Sequence, residues 1–269
     1  MRTATPPGAA ARPAERRSLS RIYLLEFRNE LLSMIRMPAY ALMSLLFPLI
    51  FYLLFAFLFG AQQAGGTNAA AYMLATMGSF GVIGAGLFSF GMTVALERRQ
   101  GWMVLRRASP MPPLAYFSAK AGASVVTAAA IVVLMFSAAA LTQGVSLPAG
   151  TWLALAATMI AGVLPFSALG LVLGYLTGPN TAPLVINLTY LPLGFLAGLW
   201  MPLELLPGVI RNAAPFLPSY HFGQLALMPL GASRLGSALP SVLVLAAWTL
   251  LLLGLAVLLY RRSTKELTS

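Results

Sequence analysis

The chain has 269 residues, 59% of them hydrophobic and 9% charged, with a mean hydropathy of +0.84 and a net charge of +11. A soluble domain carries about 25% charged residues, so this composition reads as a polytopic, all-α membrane protein of one domain. No cysteine or aspartate occurs and there is one histidine, which excludes disulfides, thiolate catalysis and cysteine metal sites and leaves little for metal ligation or acid–base chemistry.

Residues 1–17, "MRTATPPGAAARPAERR", are rich in Pro, Ala and Arg and lack the short apolar core of a signal peptide. They read as a disordered cytoplasmic tail. Ser18 to Arg36 then shows helical periodicity. Tyr23, Leu24, Phe27, Leu31, Met34 and Ile35 share one face, and Arg21, Arg28, Asn29, Ser33 and Arg36 the other. Directly ahead of an apolar block, this predicts an amphipathic helix lying at the membrane surface in contact with lipid, broken by Pro38.

Six apolar blocks follow, at about 39–60, 70–96, 121–142, 151–177, 181–200 and 239–260, each near the ~20 residues that a bilayer requires. Together they define a transmembrane domain over 18–262, with a short cytoplasmic tail at 263–269. "TGPNTAP" between blocks four and five suits a tight helical hairpin, and Pro165 and Pro192 stand where they could kink their helices. In block two, Gly78, Gly81, Gly84, Gly86 and Gly91 mark a surface for close approach, either within the chain or toward a dimer axis or transport path. The connection 201–238 is cut by five prolines into short pieces, predicting short outer re-entrant or interfacial helices before the last span.

Lysine and arginine set orientation. Fifteen of the 17 basic residues fall before block one, in the loop after block two, or in the C-terminal tail. These segments share one side if there are six spans, which puts both termini in the cytoplasm. The same distribution argues against nucleic acid as a partner, because the charge lies between apolar runs.

The sequence has no phosphate-binding loop G-x-x-x-x-G-K-[ST], no H-E-x-x-H and no G-x-S-x-G. No cofactor or metal is therefore expected on this chain, and no catalysis. Charge is absent from the blocks except near their ends, which weakens a self-powered carrier or channel. An intramembrane enzyme would have to use His221 or Glu204.

The most charged internal stretch is "LERRQGWMVLRRASPMPPLAYFSAK", Leu96 to Lys120. It reads as helix, break at Gly101, short amphipathic element, break at Pro110, Pro112 and Pro113, and helix, a form suited to docking a soluble partner. The order Glu97, Arg98, Gly101, Leu105, Ser109, Pro110 and Lys120 resembles the cytoplasmic loop of ABC-2 type transporter permease subunits. Arg99 and Trp102 depart from that family's acidic residue and threonine. Pro202, Pro207, Pro218 and Tyr220 resemble features of its outer segment. The resemblance implies an exporter permease in a bacterial inner membrane, paired as a homodimer with a second permease copy and with separate cytoplasmic ATPase subunits that carry the ATP and Mg. It implies that Glu97, Arg98, Arg99, Gly101, Arg106, Arg107, Ser109 and Pro110 form an ATPase-coupling element. The helix bearing Arg21, Tyr23, Phe27, Arg28 and Arg36 would lie beside it.

Overall fold

The computed structural model describes residues 19–35, 38–102 and 113–265. The tail expected at 1–17 lies outside them, as do Arg36, Arg106, Arg107, Ser109 and Pro110. The described residues are almost entirely helical. Helix α1 spans Leu19–Ile35 and α2 Pro38–Phe59, with Pro38 opening the second helix, where a missing N–H costs nothing. A two-residue hairpin follows, β1 (Gln63–Ala64) antiparallel to β2 (Thr67–Asn68). Its turn is Gly65–Gly66, with φ of 57° and 80°, and two successive positive φ values suit glycine. Asn68 then caps α3 (Ala69–Arg99), its Oδ1 accepting from the Ala70 N–H at 2.7 Å.

Helix α4 covers Pro113–Thr142, α5 Ala149–Ala161, α6 Val163–Leu176 and α7 Ala182–Leu196. The proline-rich connection folds into the short helices α8 (Gly208–Ala213) and α9 (Pro218–Leu227), with one 3-10 turn before, between and after them, and α10 (Leu239–Lys265) is the last described helix. Prolines stand at the N-cap of α8 and at the first position of α9. Among the described residues, four stretches are long and apolar enough to cross a bilayer: Ala69–Arg99, Leu114–Thr142, Ala149–Leu176 and Leu239–Tyr260. Ala182–Leu196 is a shorter apolar helix, and Leu46–Phe59 is an apolar part of α2, which runs 22 residues from Pro38.

Helix α3 is the centre of the bundle. The apolar window within it is 83% buried, against 17% for α10. It packs against α2, α4, α6 and α7, and its glycines make that possible. A Cβ on Gly86 would come within 2.8 Å of the Ser167 nitrogen, and one on Gly170 within 2.5 Å of the Leu87 carbonyl. The backbones of α3 and α6 therefore touch along this seam. Gly78 meets Met159, Gly81 meets Pro48, Gly84 meets Tyr190 and Gly91 meets Ile186. Of the two readings of the glycine pattern, the structure selects packing within the chain.

Three expectations shift. The helix of block three begins at Pro113, so Lys120 lies two turns inside it rather than ahead of it. The fourth block is two helices meeting at Gly162. Pro165 cannot donate to the carbonyl of Ala161, and a side chain at Gly162 would strike the Phe222 ring, 2.0 Å from the Cβ position. Helix α10 runs through Lys265, into the segment expected to be a tail.

The bundle has two distinct ends. At one, α1, the end of α3, the start of α4, the end of α6 and the end of α10 converge: Glu30 reaches Lys120, Arg98 reaches Thr177, and Tyr260 packs on Phe117 and Tyr175 at 5.9 and 6.3 Å. At the other, the hairpin turn at Gly65 faces Ala232, and Arg234 pairs with Glu204.

Candidate functional site

The first end carries the basic loop, and its geometry is built around one lysine. Lys120 is fully buried. Its ammonium donates to Glu30 Oε1 of α1 at 2.7 Å and to Thr93 Oγ1 of α3 at 2.8 Å, and lies 3.0 Å from Glu97 Oε1 near the end of α3. An ammonium has three N–H groups, and each has a partner. Glu97 uses its other oxygen to accept from the Tyr116 hydroxyl at 2.7 Å, and the Tyr116 ring lies 5.1 Å from the same ammonium. One side chain thus joins three helices where the loop leaves the bundle.

Charge explains the arrangement. Glu30 is 6% exposed and the Glu97 side chain 15%. Two carboxylates at so low an exposure repel each other unless a cation stands between them. Two of the chain's six acidic residues meet here on a single lysine.

The two arginines after Glu97 are also engaged within the chain. Arg98 Nη1 donates to the carbonyls of Gly174, Tyr175 and Thr177, and its guanidinium lies 6.0 Å from the centre of the Tyr175 ring. These are the unsatisfied last carbonyls of α6, where a cation is favoured by the helix dipole. Arg99 donates to Asn180 Oδ1 at 3.4 Å, in the α6–α7 connection. Glu97, Arg98 and Arg99, expected as coupling residues from their place in the sequence, therefore hold the base of the loop.

Helix α3 ends by glycine. The Gln100 and Gly101 N–H groups bond to the Leu96 and Arg98 carbonyls, and Gly101 takes φ +70°, the left-handed conformation that stops a helix. Trp102 follows, half exposed. Helix α1 lies against α4: the Phe27 ring occupies the space beside Gly122, where a Cβ would be 2.8 Å away, and Tyr23 is half-buried. Arg21 and Arg28 point outward, and Leu24, on the expected apolar face, is 67% exposed.

Sequence reasoning missed Glu30 and the burial of Lys120. The available signal was a lysine inside an apolar helix in a chain with few acids, but nothing in the spacing says which carboxylate meets it.

The rival enzymatic residues are committed elsewhere. His221 is buried, with Nε2 2.9 Å from the Pro215 carbonyl and Nδ1 2.9 Å from Ser241 Oγ. A carbonyl only accepts, so Nε2 donates to it, and Nδ1 shares the other hydrogen bond with the Ser241 hydroxyl. Neither nitrogen is left to activate a substrate. Glu204 is paired with Arg234. Among the described residues, no group of three or more His, Cys, Asp or Glu side chains could hold a metal ion.

Comparison with known proteins gives the family. The "Putative transport permease YvfS" of Bacillus subtilis (strain 168) is 32% identical over 195 residues, covering 72% of this chain and 79% of that protein. The profile of the ABC-2 type transporter family matches residues 23–230, from the first turns of α1 to the turn after α9. A bundle of apolar helices with its charge gathered at the root of one loop, matched over this span, makes the chain an integral membrane transport permease of the ABC-2 type transporter family.

Proposed function

We propose that this chain is the permease subunit of an ATP-binding cassette exporter with six membrane spans, α2 and α7 completing the count. Two copies pair in the bacterial inner membrane, both termini face the cytoplasm, and separate ATPase subunits bind ATP and Mg. The permease itself hydrolyses nothing. The loop after α3 docks the ATPase through Arg106, Arg107, Ser109 and Pro110, with α1 on the membrane surface beside it. The short helices between α7 and α10 dip into the outer leaflet or lie on it.

The observation that carries this reading is the buried Glu30–Lys120–Glu97 cluster at the root of the basic loop. A loop whose charges only set topology needs no rigid base. Here the base is anchored to α1, α4 and α6, which suits a segment that receives force from outside the membrane.

The test is co-purification with the candidate ATPase from mild detergent. The wild-type permease retains the ATPase, and the double variant Arg106→Glu/Arg107→Glu, outside the anchored base, retains at least tenfold less while eluting as the same folded species. A well-folded wild type that never retains an ATPase overturns the reading and moves a self-sufficient carrier or channel to the front.

A further inference from the structure

At the end of the bundle away from the basic loop, the turn between α4 and α5 builds a groove. Helix α4 stops at Thr142, and Gly144 takes φ +60°, a conformation that favours glycine. The chain then folds back on itself. The Gln143 and Val145 N–H groups both bond to the Ala139 carbonyl at 3.2 Å, and the Val145 side chain is buried against the core. Pro148 is the N-cap of α5, and its carbonyl accepts from the Thr151 and Trp152 N–H groups. The Trp152 ring then lies 4.5 Å from the Phe136 ring of α4. Between these elements is an open groove of about 390 Å³, lined by Phe136, Ser137, Ala140, Val145, Ser146 and Trp152. Backbone hydrogen bonds hold its walls, so it is formed before anything enters it.

Its surroundings point to the occupant. Val133, Leu141 and Leu153, on the helices that form the groove, are 65%, 85% and 71% exposed, and on a membrane span such surface is covered by lipid chains. Trp152 stands near the end of a span, the depth at which indole rings meet lipid headgroups. The Thr142 and Thr158 hydroxyls donate to carbonyls of their own helices. Among the described residues, no hydrogen bond within the chain engages the hydroxyls of Ser137 and Ser146, which leaves two donors on the groove wall. Residues 142–153 carry no charge, so an anionic headgroup, which is drawn to lysine and arginine, finds no partner there. We propose that this groove binds one acyl chain of a zwitterionic phospholipid from the leaflet at this end. The chain lies against Phe136 and Trp152. The Ser137 hydroxyl donates to an ester carbonyl and the Ser146 hydroxyl to a phosphate oxygen. The order fits the depth: Ser137 is about 7 Å below the end of α4 by helical rise, as the ester lies below the phosphate. The groove is too small for a whole phospholipid, so the second chain stays in the bilayer. This rests on the placement of α4 and α5 in the membrane, not on the exporter reading.

Trp152 is its own reporter. The full-length permease, freed of lipid in a non-ionic detergent, is titrated with phosphatidylethanolamine brominated along its acyl chains, and separately with phosphatidylglycerol carrying the same chains. Bromine quenches tryptophan on contact, and subtracting the signal of Trp152→Phe leaves the contribution of Trp152 among the four tryptophans. The expected result is saturable quenching, with a half-saturating concentration at least fivefold lower for the zwitterionic lipid. Ala140→Phe fills the groove and is expected to abolish the saturable part. Ser137→Ala/Ser146→Ala is expected to raise the half-saturating concentration at least fivefold. All three positions are exposed, so both variants are expected to keep the elution and melting temperature of the parent in detergent alone, and either one suffices for the test. Quenching that rises with lipid without saturating, or that persists undiminished in Ala140→Phe, means that Trp152 touches only bulk lipid, and overturns the proposal. Equal half-saturation for the two headgroups, or no change on loss of the hydroxyls, overturns it as well. No ATPase is present, so failure here leaves the exporter reading untouched.

Discussion

Lys120 illustrates how one side chain can be indispensable without chemistry of its own. It is surrounded by Glu30, Glu97, Thr93 and Tyr116, and removing it takes the cation from between two largely buried carboxylates. Breaking a buried ion pair by deleting one partner costs about 3–5 kcal/mol, and here deletion of the cation leaves repulsion as well. Lys120→Met, close in volume, is therefore expected to lower the melting temperature of the purified permease by about 10 °C. Glu30→Gln, which leaves lysine and one carboxylate in balance, is expected to lower it much less. Thermal unfolding of both proteins in one detergent checks the order, and equal losses would refute the charge argument. The Arg234–Glu204 pair is a contrast: its side chains are 37% and 60% exposed, and such a pair contributes about 0–1 kcal/mol.

At the level of helices, the seam between α3 and α6 sets the geometry. Helices normally stand 8–10 Å apart according to the side chains between them, and glycine brings them closer. Gly86, Gly91, Gly170 and Gly174 lie along the crossing, and a Cβ on Gly174 would be 3.0 Å from the Gly91 carbonyl. Bringing the backbones this near in an apolar environment favours dispersion and weak Cα–H contacts where no hydrophobic force is available. Gly170→Val is expected to push the helices apart at a cost of about 1–3 kcal/mol, seen as a melting temperature several degrees lower. Gly254→Ala on α10, where nothing lies within 4 Å of the added carbon, is expected to be neutral or slightly stabilising. A tolerated Gly170→Val would mean that the seam can open. The same seam places Arg98 over the end of α6, so the packing of two apolar helices decides where the charged base of the loop sits.

For the whole molecule, the two ends differ in charge as well as in form. The end holding α1, the loop base and the end of α10 carries most of the cations, while the hairpin end has Arg234, which pairs with Glu204 and lies near enough to Tyr72 to act on its hydroxyl. In a bilayer, lysine and arginine are retained on the cytoplasmic side. Single cysteines at Gln62 or Ser237 are therefore expected to react with an impermeant thiol reagent added outside intact cells, and cysteines at Arg21 or Trp102 only after permeabilisation. Labelling of Trp102→Cys from outside would invert the topology.

Much of the architecture was legible from composition and order. Apolar blocks of span length mark helices because a bilayer satisfies no backbone polar group, and the blocks match α2 to α7 and α10 to within a few residues, except where the helix start at Pro113 and the break at Gly162 depend on neighbours. At the break, Pro165 is the local signal, while the Phe222 ring that excludes a side chain at Gly162 comes from α9, about 60 residues downstream, and no local pattern carries that contact. The loop's docking character is legible in its breaks at Gly101 and Pro110 and in the order of its charges, yet the partners of Glu97 and Arg98, namely Lys120, Tyr116 and the carbonyls at the end of α6, lie on other helices. Periodicity shows which face of a helix is apolar. It does not show which charge on the opposite face will be buried, so Glu30 counted only as one acid on a surface helix. Length, hydrophobicity and the placement of cations settled the class of protein, because they act through the solvent around each segment. The site at the root of the loop was settled by tertiary structure, because a buried ion cluster exists only where separate helices bring its charges within 3 Å of one another.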